Sequence, residues 1–148
     1  MTVHSAMTPP DGRLIAPGDA IPEFVVRPTH QQLFMFSAAT WNRHHVHYSK
    51  DAAQAEGLPD VVTHRALLGN YLAQMLVNWI GDAGRVSTIA WRVVRSAPVG
   101  TTLTCRGQVD ATETREDTVD VRCTLEITDA EGLTVATGSS VLALPISL

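Results

Sequence analysis

Three of the six histidines in this chain, His44, His45 and His47, fall within four residues, and His64 follows a short distance downstream. Imidazole can give or take a proton near neutral pH without help from its surroundings, so this segment is where proton-transfer chemistry would reside. Two other readings stand beside that one. A solvated histidine cluster on a polar loop needs no function at all. A zinc site built from His44, His47 and His64 lacks any acidic or cysteine ligand at a usual spacing. Neither a metal nor a cofactor is expected.

The elements on either side of the segment must hold it in place. Ile21-Pro22-Glu23-Phe24-Val25-Val26 reads as a short strand, with its proline at an edge or at the strand start. Thr29 opens a helix as a capping box, its hydroxyl on the amide of Gln32 and the Gln32 side chain reaching back to the cap. Leu33, Phe34, Phe36 and Ala39 supply the apolar spacing of that helix. From Asn42 to Asp60 the pattern is irregular. A second helix then runs from about Arg65 to Trp79 or Ile80, closed by Gly81-Asp82, and it is apolar over most of its circumference. Such a helix belongs in the centre of a fold.

After Gly84 the period changes to two. Ile89, Trp91 and Val93 alternate, then Leu103, Cys105 and Val109, then Val119 through Ile127, and finally Leu133, Val135 and Val141. Short loops at 114–118 and 129–132 join them as antiparallel strands with one covered face. One long central helix can be covered only if the sheet curls around it, which predicts an α+β fold of the hot-dog type. The edge of such a sheet would be covered by pairing with a second copy. Residues 1–12 read as a flexible arm and 13–148 as a single domain.

The composition narrows the function. With a net charge of −4 over 148 residues there is no basic face for a nucleic acid. No run approaches the ~20 apolar residues of a membrane span, and the first residues contain no apolar signal segment. Cys105 and Cys123 sit in strand-like runs and read as buried reduced thiols, which together with the rest predicts a soluble cytoplasmic protein.

The stretch Phe36-Ser37-Ala38-Ala39-Thr40-Trp41-Asn42-Arg43-His44-His45-Val46-His47-Tyr48 resembles the signature of the MaoC-like acyl dehydratases, also called (R)-specific enoyl-CoA hydratases. It is most similar to their mesaconyl-CoA hydratase-like, fatty-acid-synthase-type-I-like branch. The similarity continues through Glu56–His64 into the long helix and on to Arg95-Ser96-Ala97-Pro98-Val99-Gly100, covering most of residues 30 to 110. The resemblance implies a hot-dog fold and the hydration or dehydration of an acyl thioester. The family's common pattern, Asp-x-Asn-Pro-x-His, would make His45 the catalytic histidine by spacing from Asn42. Its downstream small residue, matched here by Ala53, instead selects His47, and the flanking Val46 and Tyr48 agree.

On that resemblance His47 is the catalytic base, Asn42 orients it or its water, and His44 matches a second histidine of the branch. Thr40 stands where the widespread hydratases carry a catalytic aspartate; Asp51 and Asp60 match no motif. His64, Arg65, Ala66, Trp41 and Arg43 are expected to bind substrate, with the amides of Arg65 and Ala66 at the helix start holding the thioester oxygen. Arg43, Arg92 or Arg95 would meet carrier phosphates. The partner is a 2-enoyl thioester of CoA or of acyl-carrier protein, with no nucleic acid or membrane, and the chain is a homodimer or a heteromer with a second hot-dog protein. Two rivals remain: a non-catalytic or half-catalytic subunit of a heteromeric hydratase, and a hot-dog thioesterase, against which the acid-free start of the long helix argues.

Overall fold

The computed structural model describes residues 9–146. Five strands, β1 (Ala20–Val26), β2 (Arg85–Val93), β3 (Leu103–Thr114), β4 (Thr118–Thr128) and β5 (Thr134–Pro145), form one antiparallel sheet in the order β1-β3-β4-β5-β2. The helices are α1 (His30–Thr40), α2 (Lys50–Ala55) and α3 (Arg65–Ile80). Helix α3 lies against β1, β2, β3 and β4, so the sheet does curl around one long helix, as its apolar sequence demands. This is the hot-dog arrangement.

The alternation in β4 does the work expected of it: Val119, Val121, Cys123, Leu125 and Ile127 are buried while Arg122 and Thr124 face water. In β5 the beat slips. Val135 and Ala136 are both buried, and farther on Ser140, Leu142 and Leu144 point inward, so Val141 is not the inward residue that its spacing suggested. The register irregularity where β4 meets β5, between Ile127 and Thr128, absorbs the extra residue near this end of the strand. Cys105 and Cys123 are buried and free, and burial pushes both thiols up to about 12.

Helix α3 is less enclosed than its composition suggested. Leu68, Leu72, Met75, Leu76 and Ile80 are sealed, but Ala66, Asn70, Gln74 and Val77 form an exposed stripe along its other side. The expected capping box is half formed: Thr29 accepts from the Gln32 amide at 3.2 Å, but the Gln32 side chain accepts from the Tyr71 hydroxyl at 2.9 Å, tying α1 to α3. Of the expected arm, residues 1–8 lie outside the described residues. Gly12 is buried against Leu144 and Val119, so the chain is already packed before residue 13.

Helix α3 begins at a fixed place because β2 holds it. Trp91 donates its indole N–H to the Arg65 carbonyl at 2.9 Å, and its ring lies over Gly69, where an added Cβ would enter the ring itself. Gly69→Ala must therefore displace the indole. The expected cost is about 1–3 kcal/mol, the usual penalty of overpacking, read as a lower urea midpoint at unchanged m. An unaltered midpoint would mean that Trp91 does not hold the helix.

Candidate active site

The irregular segment is delivered to α3 by the way α1 ends. Trp41 adopts a left-handed backbone (φ 55°), and the Asn42 amide donates to the Ser37 carbonyl at 2.9 Å, a Schellman-type stop that turns the chain back. The Asn42 side chain then accepts from the His44 amide at 3.1 Å, and a single 3-10 turn covers His45–His47. Val46 points inward, forming a small apolar cluster with Ala53 and Val62, and α2 supplies Ala53 with no exposed surface. That cluster is why a small residue must follow His47 at this spacing.

With Val46 buried, His47 is carried to the edge of α3. Its Nδ1–H donates to the Val62 carbonyl at 2.8 Å, which fixes the tautomer and leaves Nε2 with a free lone pair. Burial lowers its pKa; the Val62 hydrogen bond opposes this, and the neighbouring His44 adds a small further lowering. His47 is a neutral ring with an open acceptor, the state required of a base.

His64 lies directly behind it. The two rings are stacked with centroids 3.8 Å apart and 19° between their planes, and Phe36 packs on His64 at 4.8 Å. The side chain of His64 is sealed from solvent, and its Nε2 is 2.7 Å from the Ser37 hydroxyl. Burial, with the adjacent His47 adding to it, brings its pKa down to about 4, so it is uncharged at neutral pH. His64 also stands at the N-cap of α3 without capping it, and among the described residues its Nδ1 and the neighbouring Thr63 hydroxyl have no partner. The first amides of α3 therefore carry no side-chain cap, and they bear the positive end of the helix dipole.

The other expected site residues divide sharply. His44 is exposed, edge-on to His47 at 5.8 Å, with its Nε2 3.4 Å from Glu56. His45 is exposed beside Tyr48. Thr40 does not join the histidines: its hydroxyl donates to the Phe36 carbonyl at 2.6 Å, one turn back in α1, and the residue is exposed. Asn42 shapes the turn rather than touching His47. Trp41 and Arg43 point to solvent, and the Arg43 carbonyl accepts from the Tyr48 hydroxyl. Arg65 and Ala66 are exposed at the start of α3, where their amides were expected. His64, expected to bind substrate, is buried with its ring stacked on His47.

Ser37 was passed over as a site residue, although a signal for it existed. It lies four residues after Leu33, the one apolar residue of α1 that is fully buried, and so shares its inward face. Among the described residues no carboxylate is hydrogen-bonded to His47 or His64, and no group of three or more His, Cys, Asp or Glu is placed to hold a metal ion. Among the described residues, His47 thus holds an imidazole with an open Nε2, stacked on His64 at the start of α3.

Residues 6–99 match the family model described as hydroxyacyl-thioester dehydratase type 2. No curated protein sequence matches. Among solved structures, the unliganded R-hydratase PhaJ1 from Pseudomonas aeruginosa is similar, with a TM-score of 0.84 at 17% identity, covering 93% of this chain and 86% of that one. The (R)-hydratase from A. caviae involved in PHA biosynthesis gives 0.81 at 20% identity, covering 90% and 99%. The ChsH1-ChsH2 complex from Mycobacterium tuberculosis gives 0.78 at 18% identity, covering 88% and 99%. At these identities the structures establish the likeness of fold.

Proposed function

We propose that this chain, which belongs to the hydroxyacyl-thioester dehydratase type 2 family, interconverts 2-enoyl and 3-hydroxyacyl thioesters of CoA or acyl-carrier protein with His47 as its one proton-transfer group. The observation that carries this reading is the Nδ1–H of His47 on the Val62 carbonyl, which commits Nε2 to accepting a proton. In hydration, Nε2 takes a proton from water as the water oxygen bonds to C3. The C2=C3 electron pair moves toward the thioester oxygen, and the imidazolium then returns the proton to C2. In dehydration the same atoms run in reverse. With no carboxylate at its side, one imidazole handles both proton steps.

The developing negative charge on the thioester oxygen falls to the amides of Arg65 and Ala66. Each oriented donor of this kind is typically worth about 3 kcal/mol in the barrier. Buried reduced thiols suit a cytoplasmic enzyme.

The test is loss of enoyl-thioester absorbance on adding the protein to a 2-enoyl-CoA, followed across pH. Because His47 must be neutral to work and its pKa is lowered, the acid limb of kcat/KM is expected to have its midpoint below 6.5. A limb centred above 6.5, or release of free thiol in place of hydration, would defeat the reading.

A second reading, a half-catalytic subunit, is favoured by one observation: Thr40 offers no carboxylate and its hydroxyl is bonded to the Phe36 carbonyl. One structure of similar fold is itself a two-protein complex. Activity that emerges only on mixing with a second hot-dog protein would decide for it. The exposed stripe on α3 and the open edges of β1 and β2 supply surfaces for that partner or for a second copy.

A further inference from the structure

We propose that Ser37 and His64 are a positioning pair that orients the base by its face, in place of a carboxylate at its edge. The proposal rests on the reading of His47 as the base and adds what holds it.

An imidazole attached to its turn by one bond from Nδ1 can still swing about that bond. The Val62 carbonyl fixes one edge of His47; the plane of the ring is fixed by the flat surface of His64, 3.8 Å away and nearly parallel. His64 can serve as that surface because it cannot move. Phe36 lies against it, its backbone begins α3, and Ser37 holds Nε2 at 2.7 Å.

Among the described residues the Ser37 hydroxyl is bonded to Nε2 alone and Nδ1 has no partner, so this 2.7 Å contact is the hydrogen bond that sets the angle of the His64 ring. The ring itself is uncharged at neutral pH. The groups facing the two rings are the Val62 carbonyl, His44, Phe36 and Ser37, none of them an acid. A base held this way gains orientation without gaining basicity, in keeping with an acid limb displaced downward.

The experiment compares two double variants with wild type. Ser37→Ala/His64→Phe keeps a flat ring behind His47 and removes both polar groups of the pair together, so neither is left buried without the other. Ser37→Ala/His64→Leu fills similar space without a flat face. The Phe variant is expected to stay within about tenfold of wild-type kcat, and the Leu variant to lose about 100-fold in kcat with KM moving far less. The 15N shifts of the His47 ring are read in parallel, because they report its tautomer whether or not the chain turns over. The Nδ1–H form should persist in the Phe variant and give way to mixed tautomers in the Leu variant. If the Leu variant does not fold, Ser37→Ala/His64→Met, which likewise lacks a flat face, takes its place and should show the same loss of a single tautomer.

A folded Phe variant as inactive as the Leu variant would mean that His64 gives substrate an atom and not a face, and the proposal falls. It falls equally if both variants behave as wild type. If wild type shows no hydration but the tautomer pattern is as stated, the pair positions His47 and only the assigned reaction is wrong.

Discussion

His47→Ala is expected to lower kcat for hydration of a 2-enoyl thioester by about 10²- to 10⁴-fold while the protein stays folded. The size follows from the absence of a stand-in. His44 is turned edge-on, exposed and close to Glu56, and His45 lies beside Tyr48, so neither has its open nitrogen where that of His47 is. The fold survives because the turn is anchored by Val46, buried with Ala53 and Val62, and by the Val62 amide on the Val46 carbonyl at 3.0 Å. His44→Ala and His45→Ala are expected to cost less than tenfold, on the order of a lost surface contact. Steady-state kinetics on the three variants settles the assignment: a larger loss in either neighbour than in His47→Ala would transfer the base to that residue.

Stability should fall by up to roughly 3 kcal/mol between pH 6.5 and pH 4, and His64 should account for most of the fall. The sign follows from proton counting. Unfolded, His64 takes up a proton near its ordinary value of 6.5; folded, it resists until about 4. Between those values the unfolded chain binds more protons, so acid favours unfolding. The contribution is fully present above 6.5 and lost as pH falls through the folded value. His47, also lowered, acts in the same direction. Urea midpoints at pH 7 and pH 4.5 measure the effect, and Ser37→Ala/His64→Phe should flatten most of the difference. A variant as acid-sensitive as wild type would place the titrating group elsewhere.

The parts of the structure legible in the sequence were those governed by local periodicity or by one close-packed neighbour. The ends of α3 followed from its apolar run and Gly81. The alternation of β4 followed from period two, and the phase of the His44–His47 turn from Ala53, which the structure shows sealed against Val46. What was not legible depends on contacts between distant segments. Ser37 and His64 are 27 residues apart and meet only because α1 folds back on the start of α3. Thr40 stands where the resemblance implied a catalytic group, yet its hydroxyl is spent on the carbonyl one turn behind it. In α1 the large residues Phe34 and Met35 face outward while a serine faces in, an inversion that apolar spacing alone reads the wrong way. The slip in β5 belongs to the same class, since a strand's phase past an irregular pairing is set by its neighbour.

The tether from Trp91 to Arg65 joins the start of α3 to β2, which has a ladder partner, β5, on one side only. Edge strands open more readily than the sheet interior, by local fluctuations that need no global unfolding. How often the amides of Arg65 and Ala66 lose their alignment is therefore governed by the breathing of β2, a quantity that bulk denaturation does not see. Amide exchange along Arg85–Val93 is the clock of that motion, and anything that pairs with the free side of β2 slows it.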